Sequence, residues 1–138
     1  MAVKKRATMY LKQFSLSTDR ENFYEITHYV RDAVKESGMI EGLCTVYCPH
    51  TTAGITINEN ADPDVAADML CGLRKAFPDR AEFHHAEGNS SAHLKASCTG
   101  SSASVIISGG RLLLGTWQGI YFCEFDGPRT RKYFVHIA

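Results

Sequence analysis

The stretch SVIISGGRLLLGTWQGIYFCEFDGPRTRKYFVHI, residues 104–137, decides the fold class. Its β-branched and aromatic residues come in short runs, Ser104–Ser108, Arg111–Thr116, Ile120–Asp126 and Arg131–Ile137. Gly109-Gly110 and Gly127-Pro128 supply the turns between them. Strands joined so tightly pair antiparallel, because a parallel crossover needs a dozen or more residues. Working upstream, Gly42–Cys48 and Ala53–Asn58 have the same strand character, and Ala7–Ser17 alternates loosely around Met9, Leu11 and Phe14. Two amphipathic helices interrupt the strands. Thr18 and Glu21 have capping-box spacing, and Phe23, Ile26, Tyr29, Val30 and Val34 then recur at helical intervals as far as Gly38. Asp62-Pro63 opens the second, whose stripe of Val65, Ala66, Met69, Leu70 and Leu73 ends near Phe77-Pro78. Residues 79–91 read as a polar loop, followed by a short helix over Ala92–Cys98. The expected architecture is α+β: one domain over residues 1–138, a β-sandwich-like antiparallel or mixed sheet with two main helices packed against it.

The composition narrows the function classes. A chain of 138 residues is the size of one domain, and 44% hydrophobic with 22% charged residues fits a globular protein rather than a disordered tail. Fifteen Lys plus Arg balance fifteen Asp plus Glu, so no global basic excess attracts nucleic acid or anionic lipid, and neither partner is expected. No run approaches the ~18–20 apolar residues of a membrane span, and MAVKKRATMYLK lacks the apolar core of a secretory signal, so a cytoplasmic protein is expected. The five cysteines form no Cys-x-x-Cys pair and are expected to be free, mostly buried thiols. Sheet edges in so small a domain need cover, which favours a homo-oligomer.

Three constellations can carry chemistry. His84, His85 and His93 put half of the six histidines within ten residues, in FHHAEGNSSAH, and His50 stands at a strand end in CPHTTAGITINEN. Neutral imidazoles bind zinc and similar divalent ions, and a three-His site leaves a position open for water or substrate. A loop lets His85 and His93 converge where a rigid helix at that spacing does not. Histidines at the surface or hydrogen-bonded in the core are the competing reading. The second constellation is anion recognition: Gly88-Asn89-Ser90-Ser91 before a helix, the hydroxyls and exposed amides of Thr51, Thr52 and Gly54 beside His50, and Arg129 all suit phosphate, although turn capping accounts for the same hydroxyls. The third is GTWQGIYFCEFDGPR, where Trp117 beside Gln118 can stack on a flat heteroaromatic ring or simply fill the core. Glu59, Glu87 and Glu124 are candidate bases or partners of ligating histidines. Cys48, two residues before His50, is a candidate nucleophile whose competing reading is a buried thiol.

HTTAGITINENADPDV, HAEGNSSAHLKAS and GTWQGIYFCEFDGPRTR together resemble the YjbQ family, also called the secondary thiamine-phosphate synthase family, over about residues 5–137. The resemblance implies a β-sandwich-like α+β homotrimer and, for some members, thiamine-phosphate synthase activity. It implies a metal or phosphate site at His50, His85 and His93, with a divalent ion, zinc first, as cofactor and a small phosphorylated molecule as substrate. In its other shared motifs stand Glu59, Asn89, Trp117, Gln118, Glu124 and Arg129; we assign Glu59, Gln118 and Glu124 to catalysis and Thr51, Thr52, Asn89, Ser90, Trp117 and Arg129 to substrate. His84 departs from the family pattern and is a reserve ligand. The alternatives are a metal-dependent hydrolase and a non-catalytic trimer that binds metal and a phosphate ligand.

Overall fold

The computed structural model describes residues 9–138. Its order is β1 (Tyr10–Thr18), β2 (Asn22–Glu25), α1 (Thr27–Ser37), β3 (Gly42–Tyr47), β4 (Ala53–Glu59), α2 (Pro63–Ala76), α3 (Ser90–Thr99), β5 (Ser102–Ser108), β6 (Arg111–Leu112), β7 (Gln118–Glu124) and β8 (Arg129–Ile137). The strands form two antiparallel sheets, one ordered β1-β8-β3-β5-β6 and one ordered β2-β7-β4. The α+β class stands, with every pairing antiparallel. The first two residues of the expected opening strand, Ala7 and Thr8, lie outside the described residues.

β7 explains how the layers stack. Ile120 and Phe122 point into a core shared with Val46, Ile55, Val135 and the α1 residues Val30 and Val34, between the two sheets. Tyr121, Cys123 and, just beyond the strand, Phe125 point the other way, into a second core with Phe23, Leu70, Ala92 and Ala96. A strand covered on both faces needs an uninterrupted apolar run, and GIYFC supplies it. The helices divide accordingly: α1 belongs to the first core, α2 and α3 to the second.

Three local expectations are corrected. The helix expected from Thr18 begins at Thr27, because Thr18 ends β1 and its hydroxyl donates to Glu124 at 2.7 Å rather than capping a helix. Phe23 lies opposite Cys123 in β2, with its ring edge-on to Tyr121 and Phe125 at centroid distances of 6.2 and 6.3 Å. Tertiary packing has overridden a helical periodicity that is genuine only from Ile26 onward, and Tyr29 is exposed. Arg111–Thr116 is a strand only at Arg111–Leu112, since Gly115 and Gln118 close a turn immediately afterwards. The third helix spans ten residues rather than a short piece and buries Ala92, Lys95 and Ala96. Other signals hold: Asp62 accepts from the Asp64 N–H at 2.9 Å with Pro63 following, and Gly38 ends α1 at φ 68°.

Candidate functional site

A cleft of about 480 Å³ opens between the β3–β4 connection and α3, lined by His50, Thr51, His93, Ser97 and Ser101 among others. Its geometry follows from one glycine. A Cβ on Gly54 would sit 2.5 Å from the Gly100 carbonyl oxygen, which instead accepts the Ile55 N–H at 3.0 Å. Only glycine lets β4 and the end of α3 approach this closely, and that approach sets His50 and His93 on facing walls.

His50 is held by one ring nitrogen. Nε2 lies 3.0 Å from both the Lys132 amide nitrogen and its carbonyl oxygen: unprotonated it accepts from the N–H, protonated it donates to the carbonyl. Where Nε2 carries the proton and donates to the Lys132 carbonyl, Nδ1 is unprotonated and left for a ligand. Burial lowers the His50 pKa from its ordinary 6.5, and the charge of Arg131 adds to this, so the ring is neutral and suited to coordination. His85 reaches the same neighbourhood, its ring 5.4 Å from that of His93 and inclined at 71°. Among the described residues no three His, Cys, Asp or Glu side chains stand close enough to share an ion as positioned. The donors are of the right chemistry for a divalent ion; the rings have yet to converge on one.

The anion-binding candidates separate. Thr51 is exposed on the cleft, but Thr52 is buried and its hydroxyl accepts from Arg131 Nη2 at 2.8 Å, so it is unavailable to phosphate. No side chain caps α3 at Asn89. Ser90 lines a second cavity of about 220 Å³ with Arg80, His85 and Gly88. Asn89 donates from Nδ2 to Asp126 at 2.8 Å, while its buried Oδ1 has no partner among the described residues. Arg129 is tied to the same Asp126 through Nε to the carbonyl at 2.9 Å and Nη2 to the carboxylate at 2.8 Å, so it braces the β7–β8 turn rather than offering a free fork. His84 is exposed and absent from both cavity walls.

Glu124 is not available as a general base. It is fully buried and accepts from Arg131 Nε at 2.8 Å and Nη2 at 2.5 Å, from Thr18 Oγ1 at 2.7 Å and from the Asp126 N–H at 3.0 Å. Burial alone would raise its pKa, yet these donors together hold it below the usual 4.5. Its role is positional: Arg131 and Thr52 link it to the segment that carries His50. Cys48 is also buried, and burial pushes its thiol up to about 11, which removes it as a thiolate nucleophile. The cysteines are all free, Cys44, Cys48 and Cys123 buried, Cys71 and Cys98 exposed.

The remaining candidates stand elsewhere. Ala53 pairs with Glu124 and Glu59 with Gln118, so Glu59, Trp117 and Gln118 occupy the far end of the small sheet. Six residue steps along β7 put that end about 20 Å from the histidine end. There Gln118 accepts the Gly115 N–H at 2.8 Å, Glu59 accepts the Asp62 N–H at 3.3 Å, and Trp117 is 62% exposed rather than a core residue. One chain therefore places His50, Thr51 and His93 on one cleft, with His85 beside His93, and does not bring Glu59, Trp117 or Gln118 to them. Sequence reasoning overlooked Arg131 and the buried Lys95, which bonds to Glu21 at 2.7 Å, and read Gly54 for its amide rather than for the close approach it permits. The signal for Arg131 was present: it shares the inward register of Tyr133, Val135 and Ile137.

No helix among the described residues is long and apolar enough to cross a membrane. The family model described as "UPF0047 protein YjbQ-like" matches residues 12–138. UPF0047 protein YugU of Bacillus subtilis (strain 168) is 54% identical over 122 residues, 88% of this chain and 92% of that protein. UPF0047 protein YjbQ of Salmonella typhimurium is 39% identical, covering 87% of this chain and 92% of that protein. A crystal structure of a YjbQ/UPF0047 protein from Clostridium acetobutylicum superposes with a TM-score of 0.90 at 58% identity, covering 92% of this chain and 99% of that one. A YbjQ-like protein of unknown function from Sulfolobus solfataricus gives 0.89 at 32% identity, covering 94% and 96%. The chain belongs to the YjbQ-like UPF0047 family, whose function is unsettled.

Proposed function

We propose that the cleft between His50 and His93 binds a divalent metal ion, zinc first, and a small phosphorylated substrate, and that the reaction is of the thiamine-phosphate synthase type. The observation that carries this reading is the convergence of His50 and His93 on one cleft, with His85 against His93. For three imidazoles to reach one ion, the rings of His50, His85 and His93 must turn from the positions they occupy here. Such an ion supplies Lewis acidity to a phosphate oxygen. The chain supplies the rest: Lys132 fixes the His50 ring through Nε2, Thr51 offers a hydroxyl, and the uncapped start of α3 with Ser90 and Asn89 receives the phosphate. In the synthase reaction a pyrimidine diphosphate loses pyrophosphate as a thiazole phosphate attacks, and groups that hold the departing charge accelerate it.

The second reading, a metal- and phosphate-binding protein without turnover, is favoured by one observation: the cleft is lined by histidines, hydroxyls and small residues, with no carboxylate to move a proton. A homotrimer suits both readings. The outer face of the large sheet exposes Leu43 (45%), Tyr47 (45%) and Ile106 (56%), apolar surface that association of copies would cover. The test is metal analysis of tag-free protein followed by mass spectrometry after incubation with the two thiamine precursors. Stoichiometric metal and product, both lost in His50→Ala, His85→Ala and His93→Ala, support the enzyme. Metal without product supports the binder, and turnover indifferent to all three substitutions sinks the site.

A further inference from the structure

A cavity of about 560 Å³ lies between α1 and the Gly109-Gly110 hairpin, with no histidine in its wall. Arg31, Lys35 and Arg111 surround it, over an apolar floor of Val34 and Leu112. Arg31 and Lys35 are one helical turn apart on α1, so their like charges share a face and repel. Arg111 faces them from β6. No carboxylate among the described residues pairs with any of the three. Of the neighbouring acids, Asp32 faces His28 at 3.4 Å and Glu36 accepts from Lys12 and Tyr10 at 2.9 Å, while Glu41 accepts the Gly109 N–H at 2.9 Å at the hairpin edge of the cavity and pairs with none of the three cations. Residues 1–8 contain no Asp or Glu to fill the gap. A protein with zero net charge has thus gathered around one concavity three cations that have no salt-bridge partner among the described residues.

We propose that this cavity is a second anion site, distinct from the histidine cleft, that takes the diphosphate group of a small organic molecule. Two guanidinium groups each present a fork to a phosphate, and the Lys35 ammonium adds a point charge in the same wall. Hairpin amides take no part, because Gly109 N–H bonds to Glu41 and Gly110 N–H to the Ile40 carbonyl. The apolar floor receives the organic portion, and the volume falls in the range of small-molecule clefts. Association through acidic residues of a second chain is the rival occupant; a concave, apolar-floored site favours the small ligand.

The experiment is calorimetric titration of the full-length, metal-free protein with inorganic pyrophosphate at low ionic strength, with orthophosphate as comparator. Arg31→Ala, Lys35→Ala, Arg111→Ala and the double variant His50→Ala/His93→Ala are titrated beside the wild type. All three cations are exposed, and circular dichroism confirms that each variant is folded. The expected result is saturable binding, tighter for pyrophosphate than for orthophosphate, weakened about tenfold by each cation substitution and unchanged by the histidine pair. Amide shifts of Gly109, Gly110 and Leu112 should follow the same isotherm in NMR. Absent saturation, affinity indifferent to Arg31→Ala and Arg111→Ala, or loss only with the histidine pair overturns the proposal. So does a drop in oligomer mass on Arg111→Ala without any effect on pyrophosphate, which would give these cations to a copy–copy contact.

Discussion

Replacing Glu124 by Gln keeps the side-chain shape, removes its charge and separates a structural role from a catalytic one. Glu124 uses both oxygens to accept from Arg131, Thr18 and the Asp126 amide. A glutamine has one acceptor oxygen, so its NH2 must face at least one of those donors. Arg131 stays cationic at 6% exposure with no anion beside it. Breaking a buried pair from one side costs about 3–5 kcal/mol. The lower end applies, about 3 kcal/mol, because the Thr52 hydroxyl still accepts from Arg131 at 2.8 Å. For a domain of this size that is a fall in Tm of roughly 10 °C. Urea denaturation measures the loss, and Arg131→Met paired with Glu124→Gln in a double-mutant cycle should return a coupling of about 2 kcal/mol or more. The pH dependence gives a second reading. Because Glu124 is held below its ordinary 4.5, its contribution is complete above that value and disappears as pH falls through the lower native pKa. The gap between wild type and Glu124→Gln should therefore narrow on acidification. A loss below about 1 kcal/mol, or turnover abolished at unchanged stability, would refute the structural role.

Gly54→Ala should cost about 1–3 kcal/mol by forcing the Gly100 carbonyl back from 2.5 Å, and should weaken metal binding as the end of α3 moves; denaturation and metal titration check the two parts. His50 should titrate below 6.5 in NMR; its depressed native pKa makes its stabilising contribution complete above the unfolded value and smaller as pH falls through the native one. Glu21→Gln should destabilise by about 2 kcal/mol because it leaves Lys95, 6% exposed, without its carboxylate. Arg74→Ala, which removes only the exposed partner of the same Glu21, should cost less than about 1 kcal/mol in the same assay.

Local chemistry explains which parts of the fold were legible in the sequence. Asp62-Pro63, Gly38 and the Gly109-Gly110 hairpin act within a few residues, so their signals survive without tertiary information. Thr18 and Phe23 failed as helix signals because the partners that decide them, Glu124 and Cys123, are about a hundred residues away in sequence. The nearness of His85 to His93 was legible because a short loop joins them, while the cleft that His50 shares with His93 depends on β4 meeting the end of α3. Trp117, Gln118 and Glu59 share motifs with site residues, yet strand register carries them to the other end of the small sheet. Arg131 was signalled only by its inward register and Gly54 only as an amide beside His50, because a buried charge and a close backbone approach are defined by what faces them.

The central claim is that His50, His85 and His93 hold one ion. An anomalous-scattering crystal structure of protein purified without a tag and supplied with zinc tests it most directly. One anomalous peak per cleft is expected, about 2.0–2.1 Å from a nitrogen of each of the three imidazoles, with His50 ligating through Nδ1 while Nε2 keeps its bond to the Lys132 carbonyl. Rings left splayed without density between them, or a peak bound by other residues, would contradict it.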